Sequence, residues 1–186
     1  MQINNNSQTN FGMAYKMTNV PVASRKIAES ISNLKDPEAK EKFFIEELVK
    51  PIKGLKTIVS TDGDKVIIEH PVSKAKFEVL DTPVWSDPSS QDRVMNYVVQ
   101  DLQVNGTEGM KNIEVRYSEP QGRFGSNIWA SGVGLFDGII RKHINALEIA
   151  KKFDDDLAKE VAKSKANIAK KENIAAMSSR LAELSD

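Results

Sequence analysis

The chain has 186 residues, 26 basic against 26 acidic side chains, and no cysteine. That length accommodates one domain with a real core plus appendages. Balanced charge excludes a global field that would draw the protein onto nucleic acid; the lack of cysteine excludes disulfides, thiolate metal sites, iron–sulfur clusters and cysteine nucleophiles.

The first ten residues, Met1–Asn10, are rich in Asn, Gln, Ser and Thr. Such a tract buries too little apolar surface to offset chain entropy, so residues 1–20 are expected to be a flexible polar tail. The tail has neither a basic region nor an apolar stretch, so a secretory signal is not expected and a cytoplasmic location is. Phe11, Met13, Tyr15 and Met17 alternate with small or polar residues. They read either as a short strand or as hydrophobic anchors of the tail.

From Pro21 the period changes. Ala23, Ile27, Ile31 and Leu34 recur every three or four residues and predict a helix. Asp36-Pro37 then predicts a second helix, with aspartate as its cap and proline at its first position. It runs through Phe43, Phe44, Leu48 and Val49 and ends near Pro51 or Gly54. Glu38/Lys42 and Glu46/Lys50 are i,i+4 pairs on a solvated face. The two helices form an αα-hairpin.

Leu55 to Leu80 carries the strongest local pattern. Asp62-Gly63 lies between two β-branched runs, the signature of a tight hairpin. A loop of those two residues sets Val59 opposite Val66 and Thr57 opposite Ile68. A third run follows His70-Pro71-Val72-Ser73, with Ala75, Phe77 and Val79 alternating against Lys74, Lys76 and Glu78. Period two gives one apolar and one wet face, hence a three-stranded antiparallel meander that helices must cover.

Asp81 to Ser90 contains two prolines and predicts a loop, with Trp85 as a plug of the core. Ser89 and Asp92 resemble a capping box with a shortened acid. Val94, Val98 and Leu102 then recur at four-residue spacing and predict a helix; a strand is the rival, because Met95, Tyr97 and Val99 alternate. Asn112 to Tyr117 predicts a fourth strand and Ser126 to Ala130 a further short one. Residues 118–134 hold Gly122, Gly125, Gly132 and Gly134.

Phe136 onward is helical, with Phe136, Ile140, His143 or Ile144, and Leu147 in a stripe. Asp154-Asp155-Asp156 suit a helix start better than an interior, so a kink or restart is expected there. Beyond it Leu157, Val161, Ser164 and Ile168 follow a 4-3-4 spacing, and Ile174, Met177, Leu181 and Leu184 follow 3-4-3. The two registers do not match, which argues against a long regular coiled coil.

Five chemistries bear on these residues. Ser131-Gly132-Val133-Gly134 before a helix could present backbone N–H groups to an anion, with Arg123, Arg141, Lys142 and His143 adding charge. The spacing is neither the dinucleotide fingerprint nor a P-loop, and a plain hinge explains it as well. His70 and His143 lack a sequence neighbour that would activate them. Three consecutive aspartates point about 100° apart on a helix and cannot converge on one ion. Residues 141–186 hold ten basic against eight acidic side chains, interleaved as on any solvated helix, so nucleic acid is not favoured. The arm is dense in alanine, which permits close helix approach, and Leu157, Val161, Ile168, Ile174, Met177, Leu181 and Leu184 are its partner-facing residues.

The fold expected is therefore α+β: an αα-hairpin, an antiparallel meander sheet of three to five strands, and a C-terminal helical arm. Residues 21–153 form one globular domain and residues 154–186 the arm. The function expected is non-catalytic assembly or protein interaction through the arm, by self-association or with another protein, without cofactor, metal or membrane. The alternative is a small anionic-ligand or enzyme domain with its site at 122–134; a weaker one is an RNA-associated protein.

Overall fold

A computed structural model describes residues 14–32, 35–81, 84–86, 93–117 and 138–183. The expectations for Met1–Asn10, Phe11, Met13, Leu34, Ser89 with Asp92, the glycine-rich segment 118–134, the short strand at Ser126–Ala130, Phe136 and Leu184 lie outside these residues. The class is α+β: a mixed sheet, helices over one side of it, and a long C-terminal helix.

Strand β1 (Tyr15–Thr18) pairs in parallel with β2 (Ile58–Asp62). The alternation around Tyr15 and Met17 is thus a strand, and the chain belongs to the body from Ala14 on. Strand β2 pairs antiparallel with β3 (Lys65–Glu69), and β3 with β4 (Lys76–Val79), which is the meander. The sheet then extends further. Strands β4 and β5 (Val84–Ser86) pair successive stretches of β6 (Arg93–Asp101), and β7 (Met110–Tyr117) pairs β6 antiparallel along its other edge.

The β2–β3 register differs from the expected one. Asp62 faces Lys65, Thr61 faces Val66 and Val59 faces Ile68, so the loop is Gly63-Asp64. Gly63 has φ +63° and Asp64 does not have positive φ. Glycine at the first central position is the requirement of a type II′ turn, not of the I′ turn that Asp-Gly suggests. The shift is two residues in pairing, so the same side chains, Val59, Thr61, Val66 and Ile68, remain buried on one face.

Residues 93–101 are a strand, not the expected helix. Met95, Tyr97 and Val99 are fully buried, whereas Leu102, which a helical stripe would bury, is exposed. Neighbours on both edges satisfy the backbone of β6, and its valines and tyrosine suit a pleated surface.

Helix α1 (Val20–Ser32) buries Ala23, Ile27 and Ile31, the stripe read from sequence. The second helical stretch begins as α2 (Pro37–Phe43), widens into a π-helical turn (Phe44–Val49), and closes as α3 (Lys50–Lys53). Asp36 precedes it in the left-handed region at φ 61° and makes no side-chain cap. Proline at the next position satisfies the helix start differently, because it has no N–H to cap. The π turn moves the Lys50 N–H onto the Ile45 carbonyl, just before Pro51, which has none to offer. Phe44, Leu48 and Val49 all turn inward as a result.

Helix α4 (Gly138–Glu183) is 46 residues long and crosses Asp154-Asp155-Asp156 without the expected restart. Two of the three acids are used. Asp156 pairs with Lys152 one turn back. Asp154 leaves the helix surface altogether: Oδ2 accepts from the Lys56 N–H (2.6 Å), and Oδ1 from the Thr57 N–H (2.8 Å) and Thr57 hydroxyl (2.7 Å). A carboxylate that terminates three donors ahead of β2 is a latch between helix and sheet. Residues 143–150 of α4 are buried on every side, in the core with Val59, Ile68, Val79, Tyr97 and Leu48.

Candidate functional site

The core side of α4 is closed around His143, which has no exposed surface. Its Nδ1 lies 2.7 Å from the Ile139 carbonyl, so Nδ1 carries the proton and donates. The other nitrogen, Nε2, therefore accepts, from the Thr61 hydroxyl at 2.9 Å; the Tyr15 hydroxyl is at 3.4 Å from Nε2 and 3.1 Å from Thr61. The Phe44 ring, turned in by the π turn, meets the imidazole edge-on at 5.0 Å. Burial pushes the imidazole down to about 4 and raises the Tyr15 phenol, against the hydrogen bond with Thr61. A neutral, fully hydrogen-bonded histidine sealed from solvent ties β1, β2 and α4 together.

The residues expected around an anion do not converge where they are described. Arg141 reaches Asp81 across the helix (3.6 Å), Lys142 donates to the Asp64 carbonyl in the β2–β3 turn (3.4 Å), and His143 points into the core. Consecutive positions on a helix point about 100° apart, which is why three adjacent side chains find three neighbours. Arg123, Gly132 and Gly134 lie outside the described residues. His70 sits in the β3–β4 turn, where Nδ1 accepts from the Val72 and Ser73 N–H groups and the ring packs edge-on against Phe153. Among the described residues no group of three or more His, Asp or Glu is placed to hold a metal ion.

The second half of α4 is a different object. Every residue from 158 to 182 is exposed, while the helix continues unbroken. At about 1.5 Å per residue, Leu157 to Glu183 project roughly 40 Å from the body. Val161, Ile168, Ile174, Met177 and Leu181 are between 41% and 60% exposed, and Leu157 is half-buried where the helix leaves the core. Scattered exposed aliphatics are ordinary; five on one projecting helix are not explained by its own fold.

These residues form two patches. Ile140, Leu147, Asp154, Val161 and Ile168 recur every seven residues, so the proximal patch prolongs the face that seats α4 on the body. At about 100° per residue, Ile174, Met177 and Leu181 fall on a face turned roughly 150° away from Leu157, Val161 and Ile168. No single straight helix can cover both. The mismatch of spacing along the arm, legible in the sequence, is thus a real change of face.

A second surface lies along α2 and the π turn. Ala39, Lys42, Phe43, Glu46 and Glu47 line a shallow, open depression there. Phe43 is half-buried there, and Ile45 beside it is exposed. Glu46 and Lys50, on the face expected to be solvated, form an ion pair at 2.5 Å.

No helix among the described residues is long and apolar enough to cross a membrane. Compared with known proteins, the chain matches no family model, no curated protein and no solved structure.

Proposed function

We propose that this is a non-catalytic interaction or assembly protein that works through the projecting half of α4. One observation carries the reading: large apolar side chains stay half-exposed on a continuous helix that leaves the body and packs on nothing in its own described fold. A helix with high propensity and a thin apolar stripe gains stability by lying against something else. The anionic-ligand reading draws no support from Arg141, Lys142 and His143, which face three different neighbours. The RNA reading would rest on the basic arm alone, without aromatic stacking surfaces after Phe153. The cysteine-free composition supports a reducing, cytoplasmic setting as part of the same proposal.

The test is site-specific photo-crosslinking in the producing cell, with the crosslinker at Ile168, at Met177, or at Val72, an exposed aliphatic in the β3–β4 turn. Defined heavier species from the two arm positions and none from Val72 are expected. Equal labelling at all three positions, or none from the arm, would sink the proposal.

A further inference from the structure

The surroundings of His143 have no place for a second proton. In the neutral ring Nδ1–H donates to the Ile139 carbonyl (2.7 Å), the Thr61 hydroxyl donates to Nε2 (2.9 Å), and the Tyr15 hydroxyl donates to Thr61 Oγ1 (3.1 Å). Each hydroxyl proton has an acceptor. A proton on Nε2 reverses this chain. Thr61 Oγ1 must then accept from the ring, and the Thr61 hydroxyl must turn to Tyr15. The Tyr15 proton is left over, because among the described residues Thr61 and His143 are the only hydrogen-bond partners of its hydroxyl. Protonation therefore strands a buried donor and buries a cation at once, and both cost free energy in a sealed site.

Among the described residues no counter-charge offsets this. From β1 the group facing the ring is the Tyr15 phenol, whose proton burial holds more tightly. From β2 it is Thr61 and from the π turn Phe44, neither of which titrates. On α4 itself Arg141 turns to Asp81 and Lys142 to the Asp64 carbonyl. The acids flanking the β2–β3 turn, Asp62 and Asp64, are exposed.

An imidazolium at this junction needs water, and the three covers differ in how readily they admit it. Strand β2 is paired along both edges, and Phe44 belongs to an uninterrupted helical stretch from Pro37 to Lys53. Strand β1 has four residues, ends the sheet and, among the described strands, pairs with β2 alone. Asn19 joins it to α1 in the left-handed region, at φ 47°. Helix α1 does not depend on β1: the Asn19 carbonyl accepts from the Val22 and Ala23 N–H groups, and Ala23, Ile27 and Ile31 seat the helix on the body. A short strand with one paired edge lies at the low-stability end of a fold.

We propose that His143 is an acid-sensed pin for the edge strand: protonation of Nε2 favours a state in which β1 has left β2 while α1, α4 and the strands from β2 onward stay folded. The proposal is independent of the reading of the arm. In the open state the ring returns to its ordinary value of 6.5, against about 4 when sealed, so the open form gains roughly 20-fold between pH 7 and pH 5.

The experiment is amide hydrogen exchange of the full chain by NMR, expressed as protection factors at pH 7 and pH 5, with and without a low concentration of urea. The reporters are Ala14, whose N–H donates to the Lys53 carbonyl (3.3 Å), and Val59, whose N–H donates to the Ala14 carbonyl (2.6 Å); both bonds break when β1 leaves. Tyr97 in β6 and Leu147 in α4 report on the core. Ala14 and Val59 should be less protected than Tyr97 and Leu147 at both pH values and should lose roughly 20-fold in protection from pH 7 to pH 5. They should not respond to urea, because so short an opening exposes little surface. His143→Gln should abolish the pH response, and His70→Gln, which removes the other histidine of the chain, should keep it. Reporters as protected as the core and equally sensitive to urea would mean that β1 leaves only when the whole chain unfolds, which overturns the proposal. Reporters whose protection does not change with pH overturn it as well, as does a response that survives His143→Gln or disappears in His70→Gln. Should His143→Gln not fold, the wild type and His70→Gln decide between these outcomes.

Discussion

Replacing Asp154 by alanine separates a latch from a surface acid. In mid-helix an exposed aspartate is a poor choice, and alanine should improve stability there by up to about 0.7 kcal/mol. Asp154 is not in that position. Its carboxylate terminates the Thr57 N–H, the Thr57 hydroxyl and the Lys56 N–H, and Thr57 is fully buried. The Lys56 donor is exposed and recovers a water. The two Thr57 donors do not, and orphaned buried donors cost about 1–3 kcal/mol each, with the upper values for bonds to a charged partner. Allowing for the alanine gain, Asp154→Ala should destabilise by about 1–5 kcal/mol, or roughly 3–20 °C in Tm for a domain of this size. Asp155→Ala, at the exposed neighbour, should be neutral or slightly stabilising, within about 0.5 kcal/mol. Urea unfolding followed by far-UV circular dichroism measures both. If the two alanine variants lie within 0.5 kcal/mol of each other, the latch contributes nothing and the reasoning from its three hydrogen bonds is wrong.

The buried His143 makes stability depend on acid. Its folded value sits near 4, below the ordinary 6.5, so between those values the unfolded chain binds a proton that the fold refuses. That contribution is complete above pH 6.5 and declines by roughly 3 kcal/mol on the way to pH 4. His143→Gln should flatten the slope across that window by about one proton in urea titrations at stepped pH; an unchanged slope would remove the histidine from the account. A Cβ on Gly109 would stand 2.4 Å from the Val104 carbonyl and 2.1 Å from Gln100 Nε2, so Gly109→Ala should cost about 1–3 kcal/mol through a forced shift of the β6–β7 turn. A loss under 0.5 kcal/mol would show that the turn yields freely. On α4 itself, Leu147→Ala should cost about 2–5 kcal/mol and Met177→Ala less than about 0.5, since the first is buried in the core and the second projects into solvent. Thermal melts that rank the two the other way would show that the arm is packed.

Where local chemistry and periodicity agree with the tertiary environment, the sequence alone determined the outcome. The α1 stripe of Ala23, Ile27 and Ile31, the meander from Ile58 to Val79, the apolar face of Val59, Val66 and Ile68, and the change of face along the arm all follow from period 3.6 or period 2. Those periods are properties of the backbone and need no neighbour to be expressed. The tertiary structure decided the rest, for a physical reason in each case. Residues 93–101 satisfy both templates, and only the strands along their two edges make the extended form the one whose backbone groups are all paired. The Gly63-Asp64 turn won over Asp62-Gly63 because register is a property of two strands, and a two-residue slip leaves every side chain on its proper face. Three aspartates in a row read as a helix start until a pair of donors 97 residues away claims one of them. His143 acquires its hydroxyl partners from Thr61 and Tyr15, 82 and 128 residues distant, and the Phe44 ring that meets it edge-on sits in a π turn. Contacts between distant residues leave no trace in spacing, which is why the apolar stripe of the arm was legible and the surroundings of His143 were not.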